Sequence, residues 1–179
     1  MYHEPMALPI DQPDHLDQIL AQWAAARPEL DASPMGVIGR ICRLAVLLTK
    51  AQVRVFSQYG LDFASFDVLA TLRRSGPPHQ LTPGQLARAM IVTPGAVAQR
   101  LTRLESAGLV TRSRITTDRR VITVGLTDAG QNLVDTALPA HVANEHRMLA
   151  DFSPAELETF ASLLRRLSTS QGDTPLKSE

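Results

Sequence analysis

Residues 81–130 read LTPGQLARAMIVTPGAVAQRLTRLESAGLVTRSRITTDRRVITVGLTDAG. Two Thr-Pro pairs in this stretch each place a favoured N-cap residue before a proline at the first helical position. They predict a short helix over 82–89 and a longer helix over 93–107, with Gly108 as its stop. Two consecutive short helices of this kind are typical of a helix-turn-helix.

Two β-like runs, 109–115 and 121–126, follow the second helix and are separated by a polar turn. A helix-turn-helix followed by a two-stranded hairpin is a winged helix-turn-helix. We therefore expect a mainly α (α+β) fold, with the winged helix over residues 62–127.

One face of the longer helix suits a DNA groove. At about 100° per residue, Val97, Leu101 and Leu104 fall on one inward stripe. The opposite face carries small and polar residues, namely Gly95, Ala98, Gln99, Thr102 and Arg103. Small residues let a helix enter the major groove deeply, and long polar side chains supply donors for bases or phosphates. The alternative is an ordinary solvated helix.

The turn of the hairpin reads Asp118-Arg119-Arg120, without the glycine of a common tight turn. Arginines at a protruding tip can enter the minor groove, where the potential is most negative. Asp118 can orient one of them through a charge-assisted hydrogen bond. The tip therefore adds a second candidate DNA contact to that of the helix.

Charge is concentrated in the same module. The whole chain has 18 basic and 18 acidic residues. Residues 82–127 hold seven arginines, no lysine and two acids, which gives +5 and leaves −5 for the rest. Arginine offers a rigid fork of donors for phosphates and base edges, so this distribution favours a nucleic-acid partner.

Long helices flank the winged helix. Residues 1–32 are expected to form an extension with an added helix over 11–27, and 170–179 a flexible tail. Residues 33–61 and 128–169 are expected to form dimerisation helices. The first of these is apolar around much of its circumference, so we expect part of it to face a second subunit.

The composition limits the class of protein. The 179 residues are 44% hydrophobic and contain one cysteine, which excludes an internal disulfide framework. We expect a cytoplasmic protein with no leader peptide, no membrane span, no cofactor and no metal site. His141 and His146 do not share a helical face, so they are expected at a surface or subunit contact. No nucleophile-and-base motif is present, so no catalytic residue is predicted.

The winged-helix segment resembles the MarR family of bacterial transcriptional regulators. The resemblance is carried by the motifs "LExxGLV", "DRR" and "LTxxG" and by the distances between them in the sequence. The resemblance implies a homodimeric repressor on a pseudo-palindromic operator. It implies a recognition helix over Thr93–Arg103, and a wing pair of Asp118 and Arg120, with Arg120 in the minor groove and Arg119 a weaker candidate.

The segment W…RPELDxSPM before "FDVLATL" resembles the urate-responsive, PecS- and HucR-like branch of that family. The resemblance implies a pocket for a small anionic aromatic ligand, of the purine, phenolic or carboxylate class. Its matching positions are Trp23, Asp67, Arg100 and Arg112. We expect Arg100 to pair with Asp67 until an anion displaces it.

The sequence is also compatible with two other functions. A winged helix can be a protein- or RNA-interaction module, and a MarR-type regulator can sense oxidants through Cys42. We expect Cys42 to be a buried packing residue.

Overall fold

The computed structural model describes residues 12–91, 97–114 and 121–173. Within these residues the chain forms seven helices and one three-stranded antiparallel sheet. The predicted α+β winged-helix class is therefore confirmed. The chain divides into two compact units, Met1–Ala51 and Gln52–Glu179.

The first unit contains α1 (His15–Ala26) and most of α2 (Ser33–Ser57). Asp14 caps α1 and accepts hydrogen bonds from the backbone of Leu16 and Asp17, at 2.7 and 3.1 Å. The predicted added helix is thus present. Ser33, predicted as the cap of α2, is instead its first helical residue, and its N–H donates to Asp31.

A small residue and an ion-pair cluster attach α1 to α2. A Cβ at Gly39 would lie 2.5 Å from Cδ1 of buried Leu16, so a larger residue there would force the Leu16 side chain to move. Arg40 pairs with Asp14 and Asp17 at 2.8 and 2.7 Å. Its hydrogen bond to Asp14 lowers the pKa of that carboxyl from 3.8 to about 2.

The second unit begins with the last residues of α2, which ends at Ser57. Gly60 follows with a φ of +69°, and Leu61 N donates to Phe56 O at 3.0 Å, which closes the helix. The remaining elements are α3 (Phe63–Arg74), β1 (Gln80–Leu81), α4 (Pro83–Ala89), α5 (Val97–Ser106), β2 (Val110–Arg114), β3 (Ile122–Leu126), α6 (Asp128–Met148) and α7 (Pro154–Ser170).

The sheet has the order β1-β3-β2. The predicted hairpin strands β2 and β3 pair antiparallel, with Val110 opposite Leu126 and Arg114 opposite Ile122. β1 was not predicted, because two residues are too few to show an alternating pattern. It pairs with β3 through Gln80 and Leu81 and closes the base of the wing.

The core of the second unit holds the winged helix around α3. Phe56 and Phe66 stack with ring centroids 4.2 Å apart. The fully or nearly fully buried apolar side chains come from α2, α3, α4, α5, the sheet and α6, and include Phe56, Val68, Leu69, Leu72, Leu86, Leu101, Leu104, Val124 and Val134. α5 therefore packs against buried α3 through Leu101 and Leu104.

Large apolar side chains on α2 and α7 remain exposed in the single chain. They include Val37, Ile38, Val46, Leu47, Phe160 and Leu163. Cys42 lies among those of α2 and is exposed, so the expectation of a buried packing cysteine was wrong. That expectation followed the apolar neighbours of Cys42 in the sequence, which a single chain leaves uncovered. None of the described helices has the length and apolarity that crossing a membrane requires.

Candidate nucleic-acid interface and ligand cavity

The face predicted to meet DNA is exposed on α5. Leu101 and Leu104 are buried, while Ala98, Gln99, Thr102 and Arg103 are exposed. The hydroxyl of Thr102 donates to the carbonyl of Ala98 at 3.1 Å, so this part of the face stays flat. The predicted stripe thus has its buried side and its exposed side as expected.

Several predicted DNA contacts lie outside the described residues. Thr93 and Gly95, at the start of the predicted recognition helix, are among them, as is the side chain of Val97. The wing-tip residues Asp118, Arg119 and Arg120 are outside as well. Their roles stay predictions.

Arg100 has a different partner from the one expected. Its Nη1 pairs with Oδ2 of Asp62, and no contact joins it to Asp67. Asp62 is also the N-cap of α3 and accepts from Ser65 N at 2.7 Å. Partial burial opposes ionisation of Asp62, but the hydrogen bonds from Ser65 and the charge of Arg100 outweigh it and lower the pKa of this carboxyl. The expected Arg100–Asp67 pair was wrong because Asp62, at the start of α3, lies nearer to the flank of α5.

Arg112 also contacts α5. It lies on β2, and its Nη2 donates to the hydroxyl of Thr102 at 3.2 Å. Its Nε lies 3.5 Å from Oε2 of Glu105. Arg112 therefore ties the wing to the recognition helix.

A cavity of about 660 Å³ lies in the second unit, between α2, α3 and α6. Its wall is mainly apolar, with phenyl rings from Phe56, Phe63 and Phe66. Its charged lining residues are the basic Arg73 and Arg74 and the acidic Asp67, Asp135 and Glu145, and Arg73 is paired with Asp135 at 2.8 Å. This volume and lining suit a small, flat organic molecule. Arg100 and Arg112 are not among the lining residues.

Asp67 links the cavity to the start of the recognition segment. The residue is 3% exposed and lines the cavity. Its Oδ2 accepts a hydrogen bond from Ile91 N at 2.9 Å, and its Oδ1 lies 3.5 Å from the hydroxyl of Thr71. Ile91 directly precedes the segment that leads to α5.

His141 was expected at a surface or at a subunit contact, and the surface assignment was wrong. Its side chain is mostly buried, lines the cavity and packs against Phe56 and Phe66, with ring centroids 5.1 and 5.0 Å apart. Its Nε2 lies 3.2 Å from Oε1 of Glu145. The spacing of His141 and Glu145, four residues apart on one helix, was the sequence signal that could have shown this pairing.

Trp23 lies on α1 in the first unit and is 38% exposed. It is the only tryptophan in the chain, so its fluorescence reports on one position alone.

Comparison with known proteins agrees with this geometry. The pattern of the MarR family matches residues 59–121. The HTH-type transcriptional regulator PecS of Dickeya dadantii is 40% identical over 152 residues, which cover 85% of this chain and 92% of PecS.

Two solved structures are similar in fold. A MarR family transcriptional regulator from Streptomyces coelicolor, crystallised with DNA, superposes with a TM-score of 0.72 at 22% identity, covering 81% of this chain and 95% of that one. BpsR of Bordetella bronchiseptica, whose DNA binding is regulated by 6-hydroxynicotinic acid, gives a TM-score of 0.60 at 26% identity, covering 72% and 98%.

Proposed function

The chain belongs to the MarR family of DNA-binding transcriptional regulators, and we propose that it is a homodimeric repressor released from its operator by a small anionic aromatic ligand. The observation that carries this proposal is the position of Asp67. One buried carboxylate borders the cavity and also holds Ile91, next to the recognition segment.

The exposed face of α5 supports a role in major-groove reading. Its small residue Ala98 allows close approach, and Gln99 and Arg103 carry donors for base edges or phosphates. The Streptomyces coelicolor regulator, which shares the fold, was crystallised with DNA, which supports DNA as the partner. Two copies of α5 related by a two-fold axis would meet successive major grooves about 34–36 Å apart.

The uncovered apolar side chains support a homodimer. More than half of the surface of Val37, Val46, Leu47 and Leu163 is exposed in the single chain. Large exposed apolar side chains of this kind are typical of protein interfaces. A second copy of the chain would cover it, and the two-fold symmetry would match a pseudo-palindromic operator.

The cavity supports a ligand with an aromatic ring and a negative charge. The three phenylalanine rings provide an apolar surface for a flat ring, and Arg73 and Arg74 provide positive charge. BpsR, of the same fold, responds to a hydroxylated pyridine carboxylic acid, which belongs to this chemical class. We therefore place urate, simple phenolic acids and hydroxynicotinates first among candidate ligands.

Release follows from the charge on Asp67. An anion in the cavity raises the electrostatic cost of the buried carboxylate, which favours a state in which the bond to Ile91 is altered. A change at this bond that reached α5 would alter the spacing of the two recognition helices. A coupling of about 1–3 kcal/mol changes DNA affinity by roughly 5–150-fold.

Filling the cavity is expected to abolish the ligand response. Ala70 lines the cavity on α3, so Ala70→Leu places a larger side chain where the ligand would lie. We expect the variant to bind the duplex upstream of its own gene as wild type does, while urate, salicylate and 6-hydroxynicotinate no longer release it. The measurement is fluorescence anisotropy of labelled duplex during titration of each compound.

The matched control is Ala25→Leu, which adds the same side chain to an exposed position of α1, outside the expected dimerisation helices. This variant should respond to ligand as wild type does. If one of the three compounds released DNA from wild type and from Ala70→Leu equally, the ligand would bind outside this cavity.

A further inference from the structure

Two polar contacts hold the recognition helix α5, one on each side of its buried stripe. We propose that the Asp62–Arg100 pair, together with Arg112 on the opposite side, fixes the rotation of α5 about its own axis, so that Asp62 and Arg100 are positioning residues for DNA recognition. The proposal rests on the DNA-binding role of α5 given above.

The Asp62 side of this contact is anchored in the core. Asp62 accepts the backbone N–H of Ser65, so its carboxylate is held at the start of α3. α3 is the most buried helix described, with seven residues buried between Ser65 and Leu72. Arg100 therefore connects the middle of α5 to the start of a buried helix. Its side chain is 26% exposed.

The other side of α5 is held from the wing. Arg112 donates to Thr102 and faces Glu105 across 3.5 Å. At about 100° per residue, Arg100 lies roughly 70° to one side of the midline between Leu101 and Leu104, and Glu105 and Thr102 lie roughly 70° and 130° to the other side. Contacts on opposite sides of the buried stripe resist rotation of the helix in both directions.

Rotation matters because base recognition depends on short distances. With side chains, a helix has a radius of about 5–6 Å, so a rotation of about 20° moves a side-chain tip by roughly 2 Å. Hydrogen bonds tolerate only a few tenths of an ångström before they weaken. Gln99 and Arg103 on the exposed face would then lose their partners without any loss of the fold.

This role differs from two others that Arg100 can be given. An arginine that binds a DNA phosphate contributes to the salt dependence of binding, whereas a positioning arginine does not. An arginine that binds the ligand changes release and leaves DNA affinity intact. The three roles therefore predict three different results for one substitution.

The test is a double-mutant cycle of Asp62→Asn and Arg100→Gln. Asparagine caps a helix about as well as aspartate, so Asp62→Asn keeps the bond to Ser65 and removes the charge. We measure affinity for the duplex upstream of the gene, affinity for a scrambled duplex of the same length, and the dependence of both on salt. Thermal melting verifies that each variant is folded.

We expect each single change to lower the ratio of specific to non-specific affinity about two- to fivefold per protomer, or roughly 4–25-fold for a dimer. The double variant should be no weaker than either single variant, because the same pair is lost in each. The salt slope should stay at the wild-type value. Arg103→Gln is the control. Arg103 lies on the exposed face, so its loss should remove a direct DNA contact and lower the salt slope or the specificity.

Additive losses, a reduced salt slope for Arg100→Gln, or unchanged specificity in both single variants would each overturn the positioning role. These results are distinct from failure of the proposed function, in which wild type itself would not prefer its upstream duplex over the scrambled one.

Discussion

Replacing Gly130 by alanine is expected to destabilise the winged helix more than the same replacement at any other glycine that the structure describes. A Cβ at Gly130 would lie 2.0 Å from the carbonyl oxygen of Leu109 and 2.9 Å from its carbonyl carbon. Both are backbone atoms, so no side chain can rotate away. α6 must therefore move off the base of the wing.

The cost is large because this contact lies within a set of hydrogen bonds. Thr127 caps α6 by accepting from Gly130 N at 3.0 Å, and its own N–H donates to Leu109 O at 3.2 Å. Its hydroxyl donates to Gly108 O at 2.7 Å. Forced overpacking costs about 1–3 kcal/mol and sometimes more.

We expect Gly130→Ala to reach the upper end of that range. For a chain of this length, about 3 kcal/mol lowers the melting temperature by roughly 6–12 °C. The control is Gly84→Ala in α4, where the added Cβ meets nothing closer than a side-chain nitrogen of Arg88 at 3.8 Å. Alanine favours a helix there, so its melting temperature should be unchanged or slightly higher. Equal melting temperatures for Gly130→Ala and wild type would show that α6 does not approach Leu109 in this way.

Replacing Arg120 by alanine is expected to weaken operator binding strongly. Arg120 lies in the segment that joins β2 to β3, outside the described residues, and its role follows from the sequence and the family resemblance. An arginine in the minor groove lies where the DNA potential is most negative. Its removal is expected to cost about 1–3 kcal/mol per protomer, and both protomers of a dimer lose it.

The salt dependence separates this contact from a general loss of charge. Each phosphate-neutralising contact contributes about 0.9 to the slope of log affinity against log salt, so the dimer should lose roughly 2. Arg27→Ala is the matched control, because Arg27 is exposed in the first unit and pairs with Glu29. It removes the same charge and should leave the slope unchanged. Wild-type duplex affinity in Arg120→Ala would favour an interaction module that binds protein or RNA through another surface.

Much of the fold was predictable because local signals specify the ends of its helices. Thr82 with Gln85, and Ser153 with Glu156, form the capping boxes that their sequence predicts. The two β-like runs and the polar turn between them predicted the hairpin of β2 and β3. β1 was missed, because its pairing with β3 depends on a distant partner and not on its own two residues.

The candidate site was predictable where one helix face determined it. The exposed side of α5 follows from helical periodicity alone. Other features depend on how separate elements pack, and a local sequence pattern carries no information about that packing. They are the partner of Arg100, the contact of Arg112 with α5 and the position of His141. Cys42 shows that a local pattern can also mislead. Its apolar neighbours in the sequence indicated burial, but the single chain leaves this part of α2 exposed.

Binding of the purified protein to the duplex upstream of its own gene tests the central claim most directly. Sedimentation at low salt gives the mass of the complex, and anisotropy at increasing salt gives the slope. We expect two chains per duplex and a linear loss of log affinity, with a slope of about −5 to −9 for 6–10 phosphate contacts. A monomer that leaves this duplex unbound at about 50 mM salt, or binds it no better than a scrambled duplex, would contradict the proposal.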